Sequence, residues 1–271
     1  MQIKKILVFV IMFFIFLIQA NGQKKDTVKW NDRKCAVALT YDDALGCHLD
    51  IVAPLLDSLG LNATFYVYGN AVSFHNRIEE WRSLANNGHE LGNHSLFHPC
   101  NSKTKGNEWV KSDYDMDNYS INRILDEIRL ANTLFQLVDG ETERTYAYPC
   151  GNKFAGDSLY MSDLHSDFIA ARGVTPGMNS LNNIDLFNIR AIPVDGYSYD
   201  ELVGFINKAR KKEMLIVFVF HGIDEGHSSV LDKNEHRKLL EYLKENRDTI
   251  WTAPVIEIVN YINDSSSGNT Q

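Results

Sequence analysis

Short apolar runs of three to six residues recur along this chain and alternate with longer segments of helical period. Their apolar or β-branched content and the turn residues that flank them predict β-strands. The predicted strands are 37–41, 63–68, 90–93, 145–148, 168–171, 188–192, 215–220 and 250–252. The run 215–220 holds six consecutive apolar residues, which is the pattern of a buried strand or a short core helix.

Amphipathic helical segments lie between these runs, and the clearest are 121–137, 202–212 and 235–247. One face of the first carries Ile121, Ile124, Leu125, Ile128, Ala131, Leu134 and Phe135. Repeated strand, helix, strand units predict a mostly parallel sheet. Seven or eight strands within one domain favour a closed or nearly closed α/β barrel over an open sheet.

The two ends of the chain differ from the part between them. Lys4 and Lys5 precede an apolar run over 6–18, and Ala20-Asn21-Gly22 offers a cleavage site before Gln23. This pattern predicts a signal peptide over 1–22 and a periplasmic or extracellular location, with an uncleaved N-terminal anchor as the alternative. The domain is therefore expected over 23–263, and the Ser-, Gly-, Asn- and Thr-rich end 264–271 is expected to be a disordered tail.

Charge limits the partners of this chain. The formal net charge is −8, and removal of Lys4 and Lys5 with the signal peptide would make it −10. The sequence contains no basic block, so nucleic-acid binding is not expected. No second apolar stretch approaches the length of a membrane span, so no integral membrane domain is expected, and the oligomeric state stays open.

Cysteine usage permits disulfides without fixing them. An exported chain with Cys35, Cys47, Cys100 and Cys150 allows three pairings, or free thiols. A bridge between Cys100 and Cys150 would brace the segments discussed next.

Four segments each place candidate metal-binding or proton-transfer residues just after a strand-like run: 40–44, 94–98, 146–151 and 218–222. In a parallel barrel the carboxyl ends of the strands share one face, so these segments are expected to meet there. His94 and His98 are spaced so that one turn brings both rings to one side, and Pro99 argues against a longer helix. Asp43 is the candidate third ligand of a hydrolytic zinc site.

Each of these residues also has an ordinary structural interpretation. A lone HxxxH pair is usually a surface or packing pair, two aspartates after a strand usually form a solvated turn, and a histidine after an apolar strand is usually packed. The combination favours chemistry, because Asp42 beside Asp43 would let one carboxylate bind a cation while the other accepts a proton from water. His221, which follows the apolar run 215–220, either points into a cleft or stays buried.

These segments carry a family resemblance. Tyr41-Asp42-Asp43-Ala44, His94 with His98, Tyr146 to Gly151, and Phe220-His221 resemble the motifs of the polysaccharide deacetylases of carbohydrate esterase family 4, the NodB homology domain. The resemblance extends from about residue 34 to residue 262. It implies a distorted (β/α) barrel and metal-dependent removal of N- or O-acetyl groups from a polysaccharide or oligosaccharide.

The resemblance also implies roles for individual residues. Asp43, His94 and His98 would bind a divalent metal, with Zn²⁺ expected and Ni²⁺ or Co²⁺ as alternatives. Asp42 would be the general base and His221 the general acid. The main-chain N–H of Cys150 would hold the oxyanion, and Tyr148 with Tyr146 would border the sugar, or else pack in the core.

Two positions depart from the family pattern. Ala147 stands where many members carry an arginine that pairs with the base, and Arg190 or Arg144 are the candidate substitutes. Cys150 replaces an aromatic residue that would form one wall of the sugar site. Asp195 is the candidate partner of His221.

The sequence thus predicts an exported polysaccharide deacetylase. The alternatives are a related barrel hydrolase acting on a non-sugar cyclic amide and an inactive carbohydrate-binding descendant. The substrate stays open among peptidoglycan, chitin oligomers, acetylated xylan and exported polysaccharides. The loops that distinguish between these glycans have a shape that the sequence does not predict.

Overall fold

The computed structural model describes residues 30–267 and contains one main sheet of eight parallel strands. The predicted signal peptide and the last four residues lie outside this range. The strands are β1 Cys35–Asp42, β2 Thr64–Val67, β3 Glu90–Asn93, β4 Thr145–Ala147, β5 Ala170–Arg172, β6 Ile192–Pro193, β7 Leu215–Phe220 and β8 Ile250–Thr252. All eight correspond to predicted runs, and β3, β7 and β8 have the predicted bounds.

Along the sheet the strands follow the order β5-β4-β3-β2-β1-β7-β6, and β8 pairs with the first half of β1. At the other end of β1, Tyr41 is in register with Phe65 on one side and with Phe220 on the other. The edges approach each other, because Arg172 at the end of β5 forms a parallel bridge with Ile189, just before β6. The curled sheet confirms the predicted distorted barrel.

Helices cover the sheet. They are α1 Ala53–Leu59, α2 Val72–Asn76, α3 Ile78–Asn86, α4 Ile121–Asp139, α5 Tyr199–Lys212, α6 Lys233–Glu245 and α7 Val255–Ser267. A π-helical turn, His48–Val52, leads into α1. Single-turn 3₁₀ segments are Ser112–Tyr114, Met116–Asn118, Pro149–Gly151 and Leu181–Asn183, with a longer one at Met161–Ser166.

Local sequence signals explain where the predicted helices begin and end. The side chain of Ser120 accepts from the N–H of Arg123 at the start of α4, and Gly140 ends that helix in the left-handed conformation. A capping box of Ser198 and Glu201 starts α5. The last helix, α7, runs to Ser267, so the first four residues of the expected tail 264–271 are helical.

The central strands are buried on both faces, which explains their unbroken apolar sequence. Alternate residues of β1 face different clusters: Leu39 and Tyr41 pack in the larger one, whereas Ala36 and Ala38 pack in the one that includes α7. By the same alternation, Asp42 points to the face of Ala36 and Ala38. The base candidate is thus directed into the sheet's interior face.

The polar segment 101–119 is held at both ends. Cys100 forms a disulfide with Cys150, with 5.7 Å between the Cα atoms, while Cys35 and Cys47 are buried free thiols. The Asp115 carboxylate accepts hydrogen bonds from Ser102, both from its hydroxyl and from its N–H. The disulfide therefore ties this loop to the segment that follows β4.

Two short strand pairs flank the barrel mouth. Phe154–Ala155 pairs antiparallel with Ser158–Leu159, and Gly222–Ile223 pairs with Val230–Leu231. Within residues 30–267, every helix is too short or too polar to cross a membrane.

Candidate metal centre and active site

Asp43, His94 and His98 converge at the carboxyl ends of β1 and β3. Asp43 Oδ1 lies 3.3 Å from His98 Nε2 and 3.6 Å from His94 Nε2. One ligand atom from each of the three residues lies within 4.8 Å of the others. The sequence-predicted ligands are thus neighbours in space, as a shared cation requires.

The backbone of these segments adopts conformations that bring the ligands together. The φ values of Asp43, Ser95 and His98 are 78°, 66° and 54°. They lie in the left-handed region, which residues other than glycine rarely adopt. The side chain of Asn93 accepts from the N–H of Ser95, and the Ser95 hydroxyl accepts from the N–H of His98. A hydrogen-bonded turn thus carries both histidines, as their spacing and Pro99 predict.

The hydrogen bond of His94 determines which of its nitrogens faces the centre. Its Nδ1 donates to the carbonyl of Ala147 at 2.8 Å, which leaves the Nε2 lone pair directed at Asp43. Burial, and then the nearby His98, lowers the pKa of His94 to about 4. A neutral imidazole with its free lone pair at the centre is the form that binds metal.

Asp43 fits the role of the carboxylate ligand. Burial opposes its ionisation, but the charges of His98, His94 and two further histidines prevail and lower its pKa to about 2. Its Oδ1 is buried and accepts no hydrogen bond from the part of the chain that the structure describes, which is costly unless a cation satisfies it. The three side chains therefore fit a divalent cation. A second group, His98 with Cys100 and Cys150, is a poorer fit because its sulfurs form the disulfide.

Asp42 lies beside the metal group and pairs with an arginine. Its Oδ2 accepts from Arg172 Nη2 at 2.5 Å, and both side chains are almost fully buried. Arg172 also donates to the carbonyl of Gly173 and lies 4.9 Å from the centre of the Tyr66 ring. Among residues 30–267 Asp42 Oδ1 has no hydrogen-bond partner, so one oxygen is fixed while the other is available to a proton.

Arg172 therefore does what the two arginines suggested by the sequence do not. Arg144 pairs with Asp139, and Arg190 donates to the carbonyl of Pro176. Sequence reasoning missed Arg172, although it follows the predicted strand 168–171 directly. The rule that singled out Asp42 and His221, a polar residue at the carboxyl end of an apolar strand, applies to it as well.

His221 is held less firmly than Asp42. Its Nε2 lies 3.9 Å from Asp43 Oδ2, and its ring stacks on His227 with 4.6 Å between the centroids. Its Nδ1 has no hydrogen-bond partner among residues 30–267, so Asp195 does not orient it. Only its main chain is anchored, by the hydrogen bond between its carbonyl and His48 Nε2 at 2.8 Å.

The segment after β4 combines backbone strain with packing. Cys150 has a φ of 52° within the turn Pro149–Gly151 and forms the disulfide. Tyr148 is buried, and its hydroxyl donates to the carbonyl of Phe187. Tyr146 is buried as well, in edge contact with Tyr148. The structure therefore places both tyrosines in the core, which is the packing alternative.

The exposed aromatic residue at this site is Trp109, which the sequence analysis did not single out. Its side chain is 60% exposed, and its ring centre lies 6.4 Å from that of His98 at an angle of 25°. It belongs to the loop 101–119, whose irregular sequence gives no sign of where its residues lie.

Comparison with known proteins shows what this chain is similar to in sequence and in fold. The sequence model of the polysaccharide deacetylase family matches residues 29–163. Over 80 residues, 28% of this chain, the sequence is 39% identical to the peptidoglycan-N-acetylglucosamine deacetylase of Bacillus cereus, of which the match covers 27%. The chain spans 10% to 36% of the lengths of the curated relatives that it matches.

Solved structures show the same fold. A protein of Mycobacterium smegmatis, described as a polysaccharide deacetylase, superposes with a TM-score of 0.59 at 15% identity, covering 88% of this chain and 94% of its own. The Xyl-CE4 domain of a xylanase from the hindgut metagenome of Trinervitermes trinervoides gives 0.53 at 20% identity, covering 83% and 90%. The sequence match within this fold shows that residues 29–163 belong to a polysaccharide deacetylase domain.

Proposed function

We propose that this protein is an exported, metal-dependent deacetylase that hydrolyses N- or O-acetyl groups on a polysaccharide or oligosaccharide. The proposal rests on one observation: the neighbouring carboxylates of Asp42 and Asp43 have different partners. Asp43 faces His94 and His98, whereas Asp42 faces Arg172. One carboxylate thus suits a cation and its neighbour suits a proton.

The residues of this chain divide the reaction between them. Asp43, His94 and His98 would hold a divalent cation, expected to be Zn²⁺, which supplies Lewis acidity toward the acetyl carbonyl and the attacking water. Asp42, held by Arg172, accepts the proton that water loses on attack. His221 then gives a proton to the departing amine or alcohol. The main-chain N–H of Cys150 is the proposed donor to the oxyanion.

A carbohydrate substrate is supported by the exposed Trp109. An indole beside the proposed metal ligand His98 offers a flat apolar face of the kind on which a sugar ring packs. Cys150 provides no such face at the position where the family carries an aromatic residue. We therefore assign the aromatic wall of the sugar site to the loop 101–119.

The test is acetate release by the purified protein from chitin oligomers, peptidoglycan and acetylated xylan, with and without a chelator and added zinc. We expect chelator-sensitive release from at least one glycan. Asp42→Asn should keep the metal and lose about 10³-fold in kcat, because the base is absent. Asp126→Asn, an exposed aspartate on α4, is the matched control.

Two results would contradict the proposal. Metal-dependent turnover that persists at the wild-type rate in Asp42→Asn would remove that residue from the role of base. If the protein retains metal and binds glycan but releases acetate from none of the glycans, the non-catalytic alternative is favoured.

A further inference from the structure

A cleft of about 390 Å³ opens beside the disulfide and plays no part in the mechanism above. Residues 101, 103 and 104 line one side of it, and residues 151–154 line the other. These two stretches directly follow the joined residues Cys100 and Cys150. The disulfide thus holds the two walls of the cleft together.

The cleft adjoins the proposed reaction centre. Cys100 Sγ lies 3.6 Å from Nδ1 of the metal-ligand candidate His98, and Cys150 is the proposed oxyanion donor. A glycan whose acetyl group lies at the centre therefore has room for its next sugar in this cleft. A volume near 390 Å³ falls within the range of small-molecule sites, which is about 300–1,000 Å³.

The two lysines that line the cleft, Lys103 and Lys153, have different partners. Lys103 is 81% exposed and pairs with Asp117 at 2.6 Å. Lys153 is partly buried, and its ammonium donates to the neutral side-chain oxygen of Asn188. Within residues 30–267 no carboxylate oxygen lies within 4.0 Å of its ammonium; burial lowers the pKa of Lys153, although the more distant Asp185 acts in the opposite direction. A partly buried cation without a counter-ion is stabilised by an anionic ligand.

An aromatic side chain stands at the edge of the same cleft. Phe154 is 55% exposed and follows Lys153 directly. An apolar face next to an unpaired cation suits a sugar ring that carries a carboxylate. The excess of negative charge on the whole chain would repel such a polymer, so this recognition would have to be local.

We propose that this cleft is a subsite for an anionic sugar, one that bears a carboxylate, next to the acetylated sugar, with Lys153 as the counter-ion. The inference rests on the proposed function and narrows its substrate class. Among glycans with acetyl groups, it favours those with alternating neutral and carboxylated sugars over wholly neutral ones.

The experiment compares two N-acetylated oligosaccharides of equal length, one neutral and one with a lactyl carboxylate on alternate sugars. Lys153→Met should lower the ratio of kcat/KM for the carboxylated over the neutral glycan about tenfold, because a charged hydrogen bond is lost. Lys153→Arg should keep most of the ratio. Lys208→Met is the control, because both ammonium groups lie above an aromatic ring, Lys153 at 5.6 Å from the centre of Tyr148 and Lys208 at 5.5 Å from that of Phe205, but Lys208 is on α5.

Calorimetry separates this inference from the proposed function. A carboxylated oligosaccharide without acetyl groups should bind the wild-type protein and bind Lys153→Met about tenfold more weakly. That result without acetate release from any glycan would support the subsite and contradict the proposed function. An unchanged ratio would overturn the subsite. Equal slowing of both glycans, with a lowered Tm, would also overturn it and assign Lys153 to holding Asn188.

Discussion

The proposed active site has two sides that are built differently. We call them the base side, which holds the proposed base Asp42, and the acid side, which holds the proposed acid His221. On the base side Asp42 is buried and fixed by Arg172 at 2.5 Å. On the acid side the His221 ring is 25% exposed, its Nδ1 lacks a partner among the described residues, and it stacks on the exposed His227. The base is thus held in place before substrate arrives, whereas the acid ring can still adjust.

The position of each residue in the fold explains the difference. Asp42 is the last residue of β1, and Arg172 ends β5 across the interior of the curled sheet. His221 follows β7, and the chain then enters the short pair Gly222–Ile223 and Val230–Leu231, outside the main sheet. Groups on regular strands are positioned more accurately than groups on connecting segments. We therefore expect bound substrate to fix the position of the His221 ring.

The largest effect is expected from loss of a proposed metal ligand. Asp43→Ala or His94→Ala should abolish metal retention after dialysis and lower kcat at least 10³-fold, since both sides act on a cation-bound substrate. Elemental analysis of the dialysed protein measures the metal directly. Asp126→Ala should retain it. Full metal occupancy in Asp43→Ala would place the cation elsewhere.

A smaller loss is expected from the acid side. His221→Ala should keep the metal and lower kcat about 10²-fold, because the departing group must take its proton from water. The free energy of unfolding should change little, since the ring is only partly buried and makes no hydrogen bond through Nδ1. His227→Ala should cost no more than a few-fold in kcat. A larger loss in His227→Ala than in His221→Ala would exchange their roles.

On the base side we expect the reverse of the His221→Ala result, with a smaller loss in kcat and a larger loss of stability. Arg172→Met should lower kcat about tenfold through loss of orientation. It should also lower the free energy of unfolding by about 3–5 kcal/mol, because it leaves the buried Asp42 carboxylate without its cation.

A double variant sharpens this prediction. Asp42→Asn with Arg172→Met removes both charges, so the double variant should be more stable than Arg172→Met alone. Arg190→Met, which removes an arginine that does not contact Asp42, is the control. If chemical denaturation gives Arg172→Met wild-type stability, the ion pair contributes nothing to the fold.

Much of this comparison could be predicted from the sequence. The run 215–220 predicts the bounds of its strand because it is six apolar residues ending at a polar residue, and the run 90–93 does so because turn residues flank it. Strand-end placement then grouped Asp43, His94 and His98, since parallel strands bring their carboxyl ends to one face. Their roles in catalysis stay predictions until the variants are measured.

The partners of these residues could not be predicted in the same way. Arg172 and Asp42 are separated by 130 positions, and their contact depends on how far the sheet curls. The run 188–192 was expected to be one strand, but it forms a bridge at Ile189 and then the short strand Ile192–Pro193. The pairing of Cys100 with Cys150 was one of three possibilities, because disulfides follow proximity in space rather than spacing.

The smallest effect on activity is expected from the disulfide, which contacts the site through Cys100 Sγ, 3.6 Å from His98 Nδ1, and through the main chain of Cys150. Cys100→Ser with Cys150→Ser should lower kcat about two- to fivefold, because the turn that carries Cys150 becomes less ordered. The free energy of unfolding should fall by about 2–4 kcal/mol, since the bridge closes a loop of 50 residues.

Reduction of the wild-type protein separates the bridge from the substitutions. Dithiothreitol should reproduce the stability loss of the double variant in the wild type and in Cys35→Ala, whose free thiol is removed, and should leave the double variant unchanged. Cys35 lies at the start of β1, far from this turn in sequence, so its thiol should not contribute. A fall in kcat as large as that of His221→Ala would mean that the bridge sets the geometry of the reaction itself, and that the turn at Cys150 acts on the acid side of the site.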